Sequence, residues 1–444
     1  MAVSLLDSRR APLSTTPWGM AGELRSKRLR PGPGNSPEAV ERNQRERLYG
    51  ATVATVAEHG YESTRVEDIL QLAAVSRSAF YRHFDNKLEC FLATLDALAE
   101  LAAGPMAAIY ANDANQTWHD RLESVFEGLV QLILAQPAAA RVWLVEIYAA
   151  GPRAVDRMER LADRLEAFAV DAIGDTPDHP GMPAEGVRAV LGGLRQIIHS
   201  RLRHDREEEL QELVPDLVEW ALSYGAPPTR LRKLRKPPQL PASTQDPNEQ
   251  RRRIVASVVE LVAEQGYQEM TITEISQHAA VSLTTFYNHF DSKEAAFLAA
   301  VDEAERQVVE ATAPVYRRAS DWPHAARDTI HAFFAFNAAN PGLAQLGGLQ
   351  IFSGGAQGLD RHEAATARFS AVLRTGYEEH PEVSPIVGEA ISGSLASLLY
   401  QQIRRHSPRR LYEVAGIASF LALTPFVGAD MACVLANEGW HPLP

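Results

Sequence analysis

Apolar positions across most of this sequence recur at the three-to-four-residue spacing of helices. Residues 48–58 carry the first such face, and Gly60 then ends the helix. Residues 66–73 carry a second, shorter face, and Ser76 is placed to cap a third helix. A long apolar-rich helix follows from residue 86. The pattern predicts three short helices, a tight corner between the second and third, and a longer fourth helix.

The same pattern begins again 206 positions later in the chain. Residues 73–87 read AAVSRSAFYRHFDNK, and residues 279–293 read AAVSLTTFYNHFDSK. The likeness continues more faintly in the helices that follow, where residues 146–151 match residues 350–355. Because both the short motif and the helices after it recur, we infer that a whole half of the chain is duplicated.

Three short helices with a corner before the third form the helix-turn-helix layout, and the remaining segments also have helical patterns broken at Pro and Gly. The sequence therefore predicts an all-α fold built as a tandem duplication. The expected domains are a disordered basic arm (1–36), a first helix-turn-helix domain (37–96), a first domain of further helices (97–226), a Pro-rich basic linker (227–246), a second helix-turn-helix domain (247–302) and a second domain of further helices (303–444).

The charge of the chain is −12, so binding to nucleic acid would depend on local basic segments. One such segment is the cluster Arg25, Lys27, Arg28 and Arg30, within a Pro-, Gly- and Ser-rich stretch that predicts disorder. It is either a solvated tail or an arm that lies along DNA phosphates or in a minor groove. The basic linker leaves the same two alternatives open.

Other classes of function find little support in the sequence. Cys90 and Cys433 have no second Cys or His at metal-ligand spacing, and no nucleophile–base set or phosphate-binding glycine loop is present. We therefore expect no enzyme, no metal and no cofactor. The apolar segment 414–424 is too short to span a membrane and predicts a buried helix. Since no signal peptide is recognisable, we expect a cytoplasmic protein.

A helical wheel divides the third helix of each copy into a packed side and an outward side. The packed side carries Ala79, Phe80 and His83, and in the second copy Thr285, Phe286 and His289. The outward side carries Arg77, Ser78, Tyr81 and Arg82, and in the second copy Leu283, Thr284, Tyr287 and Asn288. Small, polar, aromatic and basic groups on one side are suited to entering a major groove.

These motifs resemble the tetracycline-repressor (TetR) family of bacterial one-component regulators. The resemblance rests on Ala73-Ala74-Val75-Ser76, Phe80-Tyr81-Arg82-His83-Phe84 and Lys87, together with their counterparts 206 positions later. It implies an all-helical, cytoplasmic and nucleoid-associated dimeric repressor of bacteria, with a ligand pocket and a four-helix dimer interface in the regulatory helices. The pattern departs from the family at Arg65, where a capping Ser or Thr is usual, and at Ala74 and Ala280, where Gly is common.

The candidate contacts to DNA are the outward residues and the groups beside them. Lys87 and Lys293 begin the next helix, where a cation and free backbone N–H groups favour phosphate. The histidines of the packed side serve either structure or a phosphate. The full set is Thr64, Arg65, Ser76, Arg77, Ser78, Tyr81, Arg82, His83, Lys87, Thr271, Ser282, Leu283, Thr284, Thr285, Tyr287, Asn288, His289 and Lys293.

The first hypothesis for the whole chain is a fused pseudo-dimer on an asymmetric operator, with further pairing as a homodimer left open. A small apolar or amphipathic effector would release it from DNA. Trp143, Tyr148, Phe333 and Phe336 are candidates to line the effector site, although such aromatics more often fill a core. The alternative is a regulator with one active DNA-binding module, in which the other half is structural or binds protein through a patch containing Leu283.

Overall fold

The fold was analysed in a computed structural model, which describes residues 13–30, 32, 34–109, 117–174, 182–235 and 250–439. Predictions made for residues 1–12 of the arm and for linker residues 236–246 lie outside the described residues. Within those ranges the fold is all-α and duplicated, as the sequence predicts. The exceptions are one short antiparallel hairpin, in which β1 (Thr15–Thr16) pairs with β2 (Gly19–Met20), and an isolated antiparallel bridge between Gly32 and Asn35.

Nine α-helices form the described part of the first half. They are α1 (Pro37–His59), α2 (Val66–Ala73), α3 (Arg77–His83), α4 (Lys87–Ile109), α5 (Trp118–Ala135), α6 (Pro137–Arg141), α7 (Pro152–Gly174), α8 (Ala184–Arg203) and α9 (Glu209–Leu222). A π-helical turn, Val142–Glu146, follows α6. The predicted boundaries at Pro and Gly hold because Pro cannot donate inside a helix and Gly accepts the conformations that end one.

The second half repeats this order from α10 onward. Its helices are α10 (Gln250–Gln265), α11 (Ile272–His278), α12 (Leu283–His289), α13 (Lys293–Arg318), α14 (Trp322–Ala339), α15 (Pro341–Gly348), α16 (Gly355–Ser370), α17 (Arg374–Glu379), α18 (Ile386–Arg405) and α19 (Ala415–Asn437). Three 3₁₀ turns, Gln350–Gly354, Ala371–Leu373 and Pro408–Val414, connect them. Helix α17 has no counterpart among the described residues of the first half.

The helices group into two compact units. One joins Met1–Phe168 to Ile198–Val218, and the other joins Ala169–Ile197 to Glu219–Pro444. Helices α7, α8 and α9 of the first half therefore contribute to both units. The first unit contains the core of α1–α4, and the second unit contains the equivalent core of α10–α13.

Within the second unit, α8 packs closely against α18. A Cβ placed at Gly192 would clash with the side chain of Ser397, and one at Gly193 would clash with the carbonyl oxygen of Ala390. Only residues without a side chain permit this separation of the two backbones. The crossing therefore depends on small residues at these positions.

Tyr224, just beyond α9, is fully buried in the same unit. Its hydroxyl donates to the carbonyl oxygen of Leu421 on α19 at 2.8 Å and accepts from the indole Nε1 of Trp220 at 2.9 Å. Burial raises the pKa of this phenol, so it remains a neutral donor. The C-terminal end of the first half is thus bonded to the last helix of the second.

The first residues of the linker lie along α19. The side chain of Asn437 accepts from the backbone N–H of Arg232 at 2.7 Å and donates to the carbonyl oxygen of Arg230 at 3.2 Å. The thiol of Cys433 lies 3.3 Å from the hydroxyl of Thr229. These contacts fix the backbone here, while the arginine side chains stay largely exposed.

The last helix is longer than the sequence predicts. The expected buried segment 414–424 continues as α19 to Asn437, past Pro425 in the helix interior, and the helix is kinked at Gly428 with φ 76°. By length and composition, α4 and the run Pro408–Asn437 could each cross a membrane. The amino-terminal part of α4 lies instead in the helix-turn-helix core, and more than half of the most apolar part of the second run is buried.

The prediction of a disordered arm over residues 1–36 is wrong for residues 13–30. Leu24 is fully buried in the core of the first helix-turn-helix domain, and the ring of Trp18 lies 5.4 Å from the ring of Tyr49 on α1. Composition predicted disorder because residues 1–36 are rich in Pro, Gly and Ser. Two well-placed apolar side chains help to fold residues 13–30 onto α1, since each removes a large apolar surface from water.

Candidate nucleic-acid interface

The third helix of each copy, α3 and α12, is held by the same backbone device. Ser76 and Ser282 precede these helices, and each side-chain oxygen accepts a backbone N–H, from Ala79 at 3.2 Å and from Thr285 at 3.0 Å. The preceding corner is left-handed in both copies. Ala74 has φ 50° and Ala280 has φ 51°. An L-residue is disfavoured in this region, so the surrounding packing must impose the corner twice.

The outward side of α3 is exposed as the helical wheel predicts. Arg77, Ser78, Tyr81 and Arg82 are all exposed, while Ala79 and Phe80 are buried. The guanidinium of Arg77 lies 3.2 Å from a carboxylate oxygen of Glu67 on α2 and 5.9 Å from the ring centre of Tyr81. This face therefore combines two cations with an aromatic ring that is 46% exposed.

The outward side of α12 has different chemistry on the same backbone. Leu283 and Tyr287 are 47% and 53% exposed, and Thr284 and Asn288 are exposed beside them. No residue of this outward set carries a positive charge. The face is suited to apolar contact with a thymine methyl group and to amide hydrogen bonds with a base edge.

The two histidines of the packed side differ in the structure. Nε2 of His83 lies 3.1 Å from Oε1 of Gln44 on α1, and burial lowers the pKa of this imidazole. His289 is exposed, so the prediction that it lies on the packed side is wrong. The position equivalent to Gln44 is taken by Gln250, the first residue of α10, which is itself exposed.

Lys87 and Lys293 have an internal role that the sequence did not indicate. The ammonium of Lys87 donates to the carbonyl oxygens of Tyr61 at 2.7 Å and Thr64 at 2.9 Å, and lies 4.2 Å from the ring centre of Tyr61. Burial lowers the pKa of this amine. Lys293 donates to the carbonyl oxygen of Tyr267 at 3.1 Å. A contact from either lysine to phosphate stays a prediction.

The remaining candidates lie before α2 and α11. Thr64 is 2% exposed and donates to the carbonyl oxygen of Gly60 at 2.7 Å, so its side chain points into the domain and not to the surface. Arg65 is exposed, and its backbone N–H donates to the carboxylate of Asp68 at 2.9 Å. Thr271 forms a capping box with Glu274.

A contact that the sequence analysis missed joins each helix-turn-helix domain to its regulatory helices. Oε2 of Glu146 accepts the backbone N–H of Tyr61 at 2.8 Å, and Oε1 of Gln350 accepts that of Tyr267 at 3.3 Å. Both acceptors lie in the turn after the sixth helix of their half. The sequence contained one signal for this contact, since Glu146 and Gln350 are polar residues at equivalent positions of the repeat, each within an apolar segment. A polar side chain in such a segment needs a hydrogen-bond partner.

A second pair of contacts repeats the same connection. Arg157 of α7 forms an ion pair with Asp96 of α4, and Arg361 of α16 forms one with Asp302 of α13 at 2.6 Å. In both halves the arginine reaches the helix that follows the third helix of the helix-turn-helix domain.

The four candidate effector-lining residues lie in two separate packed regions. Trp143 and Tyr148 are half-buried against the core of α1, α4 and α6 in the first unit, and the ring of Tyr148 lies 5.9 Å from that of His199. Phe333 is half-buried and Phe336 buried on α14 of the second unit. A role for any of them in effector binding stays a prediction.

Comparison with known proteins also identifies two helix-turn-helix domains in this chain. The sequence profile described as "Bacterial regulatory proteins, tetR family" matches twice, over residues 48–94 and 254–300. An uncharacterized HTH-type transcriptional regulator in the lacX 3′ region of Lactococcus lactis subsp. lactis is 38% identical over 55 residues. That match covers 12% of this chain and spans only 28% of the length of the relative.

Similar solved structures include the fatty acid degradation regulator FadR from Bacillus halodurans. It is 18% identical with a TM-score of 0.37, and the match covers 41% of this chain and 96% of that chain. The TetR family transcriptional regulator PfmR from Thermus thermophilus is 22% identical with a TM-score of 0.33. Here 42% of this chain and 98% of that chain are covered.

Proposed function

We propose that this chain, which belongs to the tetR family of bacterial regulatory proteins and carries two of its units, binds one DNA operator as an intramolecular pseudo-dimer. DNA-binding regulation of transcription is the function of the family. The finer proposal is that the protein is a repressor, located in the bacterial cytoplasm and associated with the nucleoid, and that a small effector releases it from DNA. The proposal of a pseudo-dimer rests on the packing of α8 and the end of α9 against α18 and α19 within one compact unit.

The pseudo-dimer is supported by contacts that join residues far apart in the chain. Tyr224 bonds to Leu421, and the backbones at Gly193 and Ala390 approach too closely for any side chain between them. In dimeric members of such families, the corresponding helices come from two chains. Here covalent fusion sets the effective concentration of one half for the other, so pairing does not depend on expression level.

The operator is proposed to be asymmetric because the two outward faces differ. Arg77 can donate two hydrogen bonds to a guanine, whereas Leu283 at the equivalent position can only make apolar contact. Arg82 and Asn288 differ in the same way, since an asparagine is suited to adenine. We therefore expect two half-sites with different bases at the positions that these residues reach.

Release by an effector needs a connection between the regulatory helices and the DNA-binding helices. The backbone contacts of Tyr61 with Glu146 and of Tyr267 with Gln350 supply one in each half. A small apolar or amphipathic molecule bound near Trp143 and Tyr148, or near Phe333 and Phe336, would shift the equilibrium by its differential affinity for the two arrangements.

The test begins with DNA selected from a random pool by the purified full chain. Native mass spectrometry of the complex should give one chain per duplex, and footprinting should protect two unlike half-sites. Two chains on each duplex, or a perfect palindrome protected equally on both sides, would contradict the pseudo-dimer. Screening small apolar compounds by thermal shift, followed by binding to the selected DNA, tests effector release.

A second candidate is favoured by one observation on α12. Leu283 and Tyr287 form an exposed apolar pair, which is also suited to contact with another protein. In that case only the first module would bind DNA. Tyr287→Ala would then leave affinity for the selected DNA unchanged while Tyr81→Ala lowers it, and the protected region would contain a single half-site.

A further inference from the structure

Residues 13–30, which we name the N-terminal segment, are anchored in the first helix-turn-helix domain. Leu24 lies in the core beside Gly50 of α1, where a Cβ would come within 3.0 Å of the Leu24 Cδ2 atom. The hydroxyl of Thr16 donates to the carbonyl oxygen of Gly19 at 2.8 Å and closes the hairpin. A glycine in a helix interior costs stability, and here it leaves room for the anchoring leucine.

A single asparagine on α1 fixes the basic part of this segment. Oδ1 of Asn43 accepts the backbone N–H of Leu29 at 3.0 Å, and its Nδ2 donates to the carbonyl oxygen of Lys27 at 3.0 Å. The ammonium of Lys27 itself donates to the carbonyl oxygen of Trp18 at 2.6 Å. The backbone from residue 27 to residue 29 is therefore held along α1.

This anchored stretch lies close to the recognition helix of the first module. Gln44, the next residue after Asn43, forms the 3.1 Å contact with His83 at the end of α3. The ring of Trp18 also contacts Tyr49, whose ring lies 6.2 Å from that of Phe84 directly after α3. Two short paths of contacts thus connect the segment to the helix proposed to enter DNA.

Three side chains that remain free of these anchoring bonds are cations, and the exposed carboxylate of Glu23 is the acidic group of the same segment. Arg25, Arg28 and Arg30 are exposed, and Arg28 is close enough to Arg47 to help lower the pKa of that buried guanidinium, after burial itself. Exposed Arg42 and Arg45 of α1 add to the local positive charge, while Glu38, Glu41 and Glu46 are acidic residues of the same helix. Like charges held together by the fold repel one another, and a phosphate anion relieves that repulsion.

We propose that the N-terminal segment is a preformed phosphate-binding ridge, in which Arg25, Arg28 and Arg30 contact the DNA backbone next to the groove that α3 enters. This inference rests on the proposed function. A disordered arm would lose conformational freedom on binding, whereas this ridge is already ordered by Leu24 and Asn43. The segment would add affinity on the flank of the first half-site without specifying bases.

The test compares two double variants of the full chain on DNA selected by the unmodified protein. Arg28→Ala with Arg30→Ala removes two ridge cations, and Arg160→Ala with Arg164→Ala removes two exposed cations of α7 as the matched control. The slope of log affinity against log salt should fall by about 2 in the ridge variant, with affinity reduced roughly tenfold, and stay unchanged in the control.

A third variant separates position from charge. Leu24→Ala keeps every cation but removes the anchor, so we expect weaker binding with a nearly unchanged salt slope. Hydroxyl-radical footprints should lose protection only on the flank of the first half-site in the ridge variant. Equal behaviour of the ridge and control variants would overturn this inference alone. Failure of the unmodified chain to bind any duplex DNA would instead overturn the proposed function.

Discussion

The two helix-turn-helix modules of this chain share a backbone and an exposed tyrosine, and they differ in the charge of the outward face of the third helix. Phe80 and Phe286 are fully buried at equivalent places, and the left-handed corners have φ values within 1° of each other. The outward faces instead replace two arginines with a leucine and an asparagine. Duplication has preserved the packing that shapes the helix and changed the groups that could meet DNA.

The bracing of the corner also differs between the modules. In the first, the buried guanidinium of Arg47 donates to the carbonyl oxygens of Ala73 and Ala74. In the second, His278 on α11 contacts the hydroxyl of Ser257 at 3.1 Å and the carboxylate of Glu260 at 3.4 Å, both on α10. The same corner is therefore stabilised by unrelated side-chain chemistry, which shows that geometry and bracing can change independently.

The largest effect should come from making the two faces alike. Arg77→Leu with Arg82→Asn gives α3 the outward chemistry of α12 and should lower affinity for the original selected DNA roughly 100-fold, because two base contacts are lost. Repeating the selection with this variant should return two similar half-sites. The reciprocal variant, Leu283→Arg with Asn288→Arg, is the control for general loss of folding. Selection of the original asymmetric sequence would contradict the assignment of these faces.

A smaller effect should separate the two ways of bracing the corner. Arg47→Ala removes a 3% exposed group that bonds two carbonyl oxygens, so local opening of α2 and α3 should become easier by about 2–3 kcal/mol. The equivalent Arg253→Ala should cost under about 1 kcal/mol, because Arg253 is only half-buried. Hydrogen exchange of peptides covering 66–83 and 272–289 measures both. If the two substitutions lower the free energy of local opening equally, Arg47 stabilises its corner no more than Arg253 does.

The contact of Glu146 with the Tyr61 amide should respond to pH, whereas the equivalent contact of Gln350 with the Tyr267 amide should not. Burial raises the pKa of Glu146, so the folded state binds a proton more tightly than the unfolded state, and stability falls as pH rises above the unfolded value of about 4.3. Glu146→Gln should remove this dependence and slow exchange of the Tyr61 amide at pH 7, because the neutral amide side chain is not disfavoured by burial as the carboxylate is.

The matched variant for this link is Gln350→Glu in the second half. It should introduce the same pH dependence at the Tyr267 amide, which the natural chain lacks there because glutamine does not titrate. Exchange measured at pH 5 and pH 7 in both variants completes the comparison. If the Tyr61 amide is equally protected at both pH values in the natural chain, burial of Glu146 does not control this contact.

The smallest effect should be the same in both modules. Ala74→Gly and Ala280→Gly relieve an unfavourable left-handed alanine, partly offset by the greater freedom of glycine in the unfolded chain. Each should stabilise its corner by less than about 1 kcal/mol, measured by thermal unfolding of single and double variants. A destabilising result in one module only would mean that its alanine methyl group makes a packing contact worth more than the strain.

Local features of the fold could be predicted from the sequence because they depend on neighbours in the chain. Helical periodicity placed Tyr81 and Tyr287 outward and Phe80 and Phe286 inward, and the serine caps follow from residue type at a helix start. Similarity across the repeat then indicated that the helices after the helix-turn-helix were duplicated together with it.

Features that depend on distant partners could not be predicted in this way. His83 is half-buried because Gln44 lies beside it, whereas His289 is exposed although its sequence context is nearly the same. The N-terminal segment folds because Gly50 leaves room for Leu24, a relationship between residues 26 positions apart that composition does not record. Lys87 likewise bonds to backbone oxygens whose positions are set by tertiary packing.

The bond from Tyr224 to Leu421 has a consequence for inheritance. In a dimer of identical chains, a defective subunit can pair with a normal one and inactivate it, so a single altered gene copy can be dominant. Here both bonded residues belong to one polypeptide, and partner exchange would require that polypeptide to open first. If the chain acts as the proposed pseudo-dimer, a normal and a defective version made in one cell would not exchange halves, and the defective one would not inactivate the normal one by pairing with it.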